Sequence, residues 1–355
     1  MSYFQNSKQV RDQGSQISIN WSTNSFNKNK YNKVIKDLVQ KNSNLKRMII
    51  NVRESYIQQE VLQALNNIIQ DTKILYHFEL NMASCKIENF EYIQKLMPIQ
   101  NDLLSLKLIF NSVNLYDLKI KYISSCLKVY QKLKRLSINL CGCTIMDQGV
   151  NILMDDFQNF QQLEYLELDV SKNKLNSESG SSLGEGLQKL NNLSTLTINF
   201  DGNQIYNSSL LIEFLLSLKY AIQLRELNLY LTNSNQVYSS SVFDINYNIL
   251  QQFFVQLSQI QSLKMLKILL NYEILNNQQN IIYFNQAIIN LKKLNTLQIL
   301  IQPYDGIKLD ILQLLLDKLF IMPNLIYLHI NQPKLYNLKH LKNILYKSKR
   351  LVKFM

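Results

Sequence analysis

Apolar and polar residues alternate with a period of two in one short stretch, and that stretch returns along the whole chain. In residues 193–205, LSTLTINFDGNQI, the apolar positions are Leu193, Leu196, Ile198 and Phe200, with Asn203 and Ile205 at fixed offsets behind them. Thr197 and Asn199 separate the last three, as in a strand with one buried face. The unit reads L-x-x-L-x-L-x-L-x-x-N-x-I. It opens again at Leu45, Leu75, Leu103, Leu133, Leu163, Leu224, Leu263, Leu294 and Leu325. A degenerate copy opens at Gly14, with Ile17, Ile19 and Trp21 inward, Asn24 at the asparagine position and Phe26 after it, and a partial copy opens at Leu351. The spacing is about 30 residues, the period of a repeat architecture with about eleven full copies.

Half of each repeat is the strand and its turn, so the other half must return the chain. The return segments carry apolar residues three and four apart, as on one face of a helix. Residues 145–160 show this with Ile152, Leu153, Phe157 and Phe160, and residues 205–218 with Leu211, Phe214, Leu215 and Leu218. A strand, a turn and a helix of about three turns need roughly 28–30 residues, which matches the period. The repeat opened by Leu224 is longer than its neighbours by about eight residues. The excess falls in 232–247, TNSNQVYSSSVFDINY.

This pattern resembles the leucine-rich repeats, in particular the long, helix-backed ribonuclease-inhibitor type, over about residues 14–355. The resemblance implies an α/β fold: a right-handed β-α solenoid, with a parallel sheet on the concave face of a horseshoe and helices on the convex face. The right-handed habit of strand–helix–strand crossovers agrees independently. The domain reading is an N-terminal segment, 1–13, followed by one repeat domain, 14–355. In such repeats the asparagine hydrogen-bonds backbone in the turn. Here its position reads Asn24, Ser55, Cys85, Val113, Cys143, Asn173 and Asn203, mostly small or polar, then decays to Glu273, Tyr304 and Leu335.

Composition changes this picture little. Hydrophobic residues make up 46% of the 355, enough for the continuous core of a solenoid, and the 8 Gly and 4 Pro leave no flexible linker. The N-terminal MSYFQNSKQVRDQG lacks the apolar run of a signal peptide or anchor, and no run elsewhere is long enough to span a bilayer. The expectation is an intracellular protein, cytoplasmic with the nucleus left open, and no membrane partner. The net charge of +12 suits nucleic acid, acidic proteins or anionic lipid. It is equally what Lys accumulates on solvated faces under a ciliate-like bias toward Asn, Gln and Lys.

Candidate chemistry is sparse. Cys141 and Cys143 form a CxC, but Cys85 and Cys143 fill asparagine positions two repeats apart, about 10 Å in a parallel sheet and too far for a disulfide. Reduced, structural cysteines are expected. His77 and His329 take outward strand positions far apart, and His340 belongs to the last helix. No phosphate-binding glycine loop and no kinase motif is present. Glu164, Glu167 and Asp169 cluster on one strand without His or Cys beside them, which suits a small acidic contact patch better than catalysis. No catalytic residue, metal or cofactor is expected, and the chain is read as a non-enzyme.

Binding is therefore sought on the outward strand positions. The one between the last two inward residues reads Asn20, Asn51, Asn81, Ile109, Asn139, Asp169, Asn199, Tyr230, Leu269, Leu300 and Asn331. Stacked at about 4.8 Å, these amides can hydrogen-bond along the column. Tyr230, Leu269 and Leu300 interrupt it in three successive repeats, with Met265 read as one outward step away, and form an apolar stripe. The insertion, carrying Tyr238, Val242, Phe243 and Tyr247, either joins this site or plugs it. Beyond Asp317 no carboxylate occurs, while Lys318, Lys334, Lys339, Lys342, Lys347, Lys349, Arg350 and Lys353 follow, a basic end suited to phosphate or an acidic protein surface. The chain stops at Met355 inside a strand pattern, which raises association through an uncapped edge or a longer native chain. The leading functional reading is a protein–protein interaction scaffold. A nucleic-acid- or acidic-surface-associated protein and the regulatory part of a longer enzyme are the alternatives.

Overall fold

The computed structural model describes residues 10–12, 15–20, 45–72, 74–99, 102–203, 205, 208–232, 246–302, 308–331 and 351–354. The chain divides into two compact units, Met1–Asn173 and Lys174–Met355. Trp21, Asn24 and Phe26 of the degenerate first repeat lie outside the described residues, as do Tyr304, Leu335 and His340.

In the first unit the alternating stretches form strands β2 (Gln16–Asn20), β3 (Arg47–Asn51), β5 (His77–Asn81), β7 (Ser105–Ile109), β8 (Arg135–Asn139) and β9 (Tyr165–Asp169). All pair in parallel and in sequence order, one repeat beside the next. Ile17, Met48, Phe78, Leu106, Leu136 and Leu166 stand in one register column and are buried. Ile19, Ile50, Leu80, Leu108, Ile138 and Leu168 form the next buried column. A strand that the sequence pattern did not suggest, β1 (Val10–Asp12), pairs antiparallel with β2. A separate short parallel pair joins β4 (Tyr56–Ile57) to β6 (Lys86–Ile87).

The return segments are the helices Gln59–Gln70, Tyr116–Leu127 and Asp147–Asp155, with 3₁₀ turns at Phe90–Leu96 and Asp156–Asn159. Gln59–Gln70 buries Val61, Leu62, Leu65, Ile68 and Ile69, the three-and-four spacing of a single helical face. The Tyr130 hydroxyl, deep in this core, donates to the Pro98 carbonyl at 2.7 Å.

The second unit repeats the scheme with β10 (Thr195–Asn199), β11 (Glu226–Leu231), β12 (Met265–Asn271), β13 (Thr296–Gln302), β14 (Tyr327–Ile330) and β15 (Leu351–Phe354), again parallel in sequence order. Its helices are Ser177–Gln188, Leu210–Leu218, Tyr247–Leu257, Tyr272–Leu275, Gln278–Asn290 and Leu309–Leu319. Asn176, Asn246 and Asn277 cap three of them by accepting first-turn N–H groups. Phe200 meets Phe214 edge-on at 5.3 Å, and Phe254 meets Phe284 at 5.5 Å. Each unit is thus α/β, a parallel sheet whose strands alternate with helices, as expected of a β-α solenoid. No described helix is long and apolar enough to cross a membrane.

Candidate functional site

The fifth strand position goes with how most repeats leave the sheet. Where it is Asn or Asp, the side-chain oxygen accepts the backbone N–H two residues on: Ala83 to Asn81, Cys141 to Asn139, Ser171 to Asp169 and Asp201 to Asn199, each at 3.0 Å. A residue with positive φ follows at Glu54, Ser84, Gly142, Lys172 and Gly202, and also at Ser112, where the fifth strand position is Ile109. The chain bends away and the strand stops at five residues. Hydrogen bonds along the column, expected from the sequence, also occur: Asn51 donates to Asn20 at 3.1 Å and Asn139 to Asp169 at 3.3 Å. The turn bond is the commoner use of these side chains.

Tyr230, Leu269 and Leu300 cannot accept that N–H, and their strands run on. β11 has six residues, and β12 and β13 have seven each. Ile109 makes the same substitution, yet β7 stops at five. Tyr230, Leu269 and Leu300 stand in direct register, each partly exposed on the face away from the buried columns. At a strand spacing of about 4.8 Å they form one continuous apolar stripe. Asn199 closes one end of the column and Asn331, which accepts the Ile301 N–H at 2.6 Å, closes the other. On one flank run Asn228, Lys267 and Gln298, and the Lys267 ammonium sits 5.1 Å from the centre of the Tyr230 ring. On the other flank Thr232 and Asn271 are buried.

Met265 does not join this stripe. Its register partners are Glu226 and Thr296, two outward positions before Leu269, and Lys267 stands between. Tyr247 is not in the inserted loop either. It is the first residue of a helix that Asn246 caps, and it is exposed. Tyr238, Val242 and Phe243 lie outside the described residues, so the insertion is bounded by Thr232 and Asn246. Lys334, Lys339, Lys342, Lys347, Lys349 and Arg350 of the basic end also lie outside them, while Lys353 takes its place on β15 in register with His329.

The cysteines take structural roles. The Cys143 thiol donates to the Phe110 carbonyl and the Cys85 thiol to Val52, both at 3.0 Å. The Asn173 amide donates likewise to Leu140 at 2.9 Å, so the two cysteines substitute for the asparagine as expected. Burial pushes the Cys143 and Cys126 thiols up to about 12, and all four cysteines are free. Glu164 pairs with Lys134 at 3.0 Å, and Glu167 accepts the Ser137 hydroxyl at 2.9 Å. His77 is exposed on its strand, whereas His329 is buried despite its outward position. Among the described residues no group of three His, Cys, Asp or Glu side chains is gathered for a metal.

One feature escaped the linear reading. Arg47, His77, Ser105 and Arg135 share a single register column in the first unit, each from a different repeat. These four residues stand at one fixed offset, two after the leucine that opens each of four successive repeats, so their charge lies down a column and forms no run along the chain. Comparison with protein-family models and with curated proteins finds no match for the chain.

Proposed function

We propose that the chain is a leucine-rich-repeat protein and acts as a non-catalytic scaffold, binding another protein through the stripe of Tyr230, Leu269 and Leu300. The observation behind this reading is the register: three successive repeats replace a turn-forming polar residue with a large apolar one, and the three side chains line up. An apolar row between polar columns is costly to leave in water and marks a surface for a partner with apolar side chains of its own. The Lys267 ammonium beside the Tyr230 ring adds a polar rim.

The test is the double variant Leu269→Asn and Leu300→Asn, which restores the residue found at this position in other repeats. Both side chains are only partly buried, so the melting midpoint is expected to stay near wild type. Affinity purification from the native cell should lose the partners that the wild-type chain retains. Unfolding of the double variant would make these residues core, and unchanged capture would place binding elsewhere.

A further inference from the structure

The open face of the first unit's sheet has a charge pattern separate from the apolar stripe. The outward positions of β3, β5, β7 and β8 begin with Arg47, His77, Ser105 and Arg135 in one register column. Ile49, Glu79, Lys107 and Ser137 form the next. Arg47, His77, Lys107 and Arg135 are all exposed. Among the described residues the ion pairs are Arg53–Glu54, Lys128–Asp156, Lys132–Asp102 and Lys134–Glu164, so none engages Arg47, Lys107 or Arg135. Glu79 is the one carboxylate among the outward strand positions of these four strands. Arg135 is held over the Tyr165 ring at 4.1 Å, which restrains its guanidinium before any partner arrives.

One strand further on the sign changes. β9 presents Glu167 and Asp169 outward, and Glu164 immediately precedes it. The face is therefore basic over β3–β8 and acidic at β9. Arg47, Lys107 and Arg135 against the single carboxylate of Glu79 leave a net positive field that an acidic partner group would complement. A nucleic acid keeps one sign along its length, so a strand laid across the sheet would run from Arg47 and Arg135 into Glu167 and Asp169. A polypeptide can change sign within a few residues.

We propose that this face binds an extended segment of a partner protein in which acidic residues are followed, or preceded, by basic ones. From β3 to β9 is four strand steps, about 19 Å, the span of about six extended residues. Acidic side chains would sit over Arg47, Lys107 and Arg135, and basic ones over Glu167 and Asp169. The surface lies in the first unit and does not depend on the stripe in the second.

The probes are two fluorescein-labelled heptapeptides of equal composition, one with four Glu followed by three Lys, the other with Glu and Lys alternating, and a seven-nucleotide oligothymidylate. Each is titrated by anisotropy against the full chain at low salt. The block peptide is expected to bind about tenfold more tightly than the alternating one, and Arg47→Gln with Arg135→Gln should remove that difference. In the wild-type chain the same titration should move the ring resonances of His77, a readout that needs no variant. The proposal is overturned if the oligothymidylate binds more tightly than the block peptide, which would mark a nucleic-acid surface. It is equally overturned if block and alternating peptides bind alike, or if the His77 resonances stay fixed.

Discussion

A single side chain shows how the repeat holds itself together. Asn173 donates to the carbonyls of Leu140, Val170 and Ser171 and accepts the N–H groups of Cys143 and Ile145, all while buried. Backbone groups at a turn inside a stack cannot reach water, so each needs a partner. Asn203 does the same work in the second unit, accepting the Leu175 N–H at 3.2 Å and donating to the Phe200 carbonyl at 2.9 Å. Asn203→Leu fills the space but leaves the Leu175 N–H without its acceptor, while the Phe200 carbonyl keeps the backbone N–H of residue 203, and it should cost about 1–3 kcal/mol. A thermal melt measures it, and an unchanged midpoint would remove the assignment. The asparagine position was legible in the sequence because its offset from the strand is fixed. Its replacement by Cys was legible because a thiol is small and polar. Burial keeps the Cys143 thiol protonated, and so a donor, far above neutral pH. The turn bond made by Asn81, Asn139 and Asn199 was not foreseen, because sequence spacing places a residue on a face without saying which neighbour its amide reaches.

At the scale of elements, strand length follows that turn bond in most repeats, and helix packing follows glycine. The helix Ser177–Gln188 carries Gly180 and Gly184 against the helix Leu210–Leu218. A Cβ at Gly180 would overlap the backbone carbonyl of Leu210, and one at Gly184 would overlap the Ser217 side chain. Two effects oppose each other in Gly180→Ala. Alanine gains about 1 kcal/mol of helix propensity over glycine. Forcing apart two packed helices costs about 1–3 kcal/mol, and backbone cannot rotate away as a side chain can. The variant is therefore expected to lower the melting midpoint, and a rise would mean that the helices separate freely. The existence of both helices was legible from apolar spacing, as at Leu211, Phe214, Leu215 and Leu218. Their close approach was not, since it depends on interhelical distance. Met265 was misplaced for a related reason: membership of the outward face was clear, but adjacency to Leu269 required counting positions along the strand.

Taken as a whole, each unit is a stack in which a repeat touches mainly the repeats before and after it, and stability is then a sum of neighbour terms rather than one shared core. This organisation was the most legible property of the chain, because the buried columns recur at the same offset in repeat after repeat. The binding surfaces were less legible because they arise across repeats, from residues tens of positions apart. The stack makes a claim about how damage spreads. Gly180→Ala disturbs the contact between two helices that flank β10, and nothing in the registers links that contact directly to β13 or β14. Opening of parts of a protein can be followed by amide hydrogen exchange. In this variant exchange should accelerate in residues 177–188, 195–199 and 210–218, while β13 and β14 keep wild-type protection. Equal acceleration from β10 through β14 would instead mean that the second unit opens as one cooperative block. In that case the neighbour-by-neighbour account of its stability would be wrong, even with every strand in the register described.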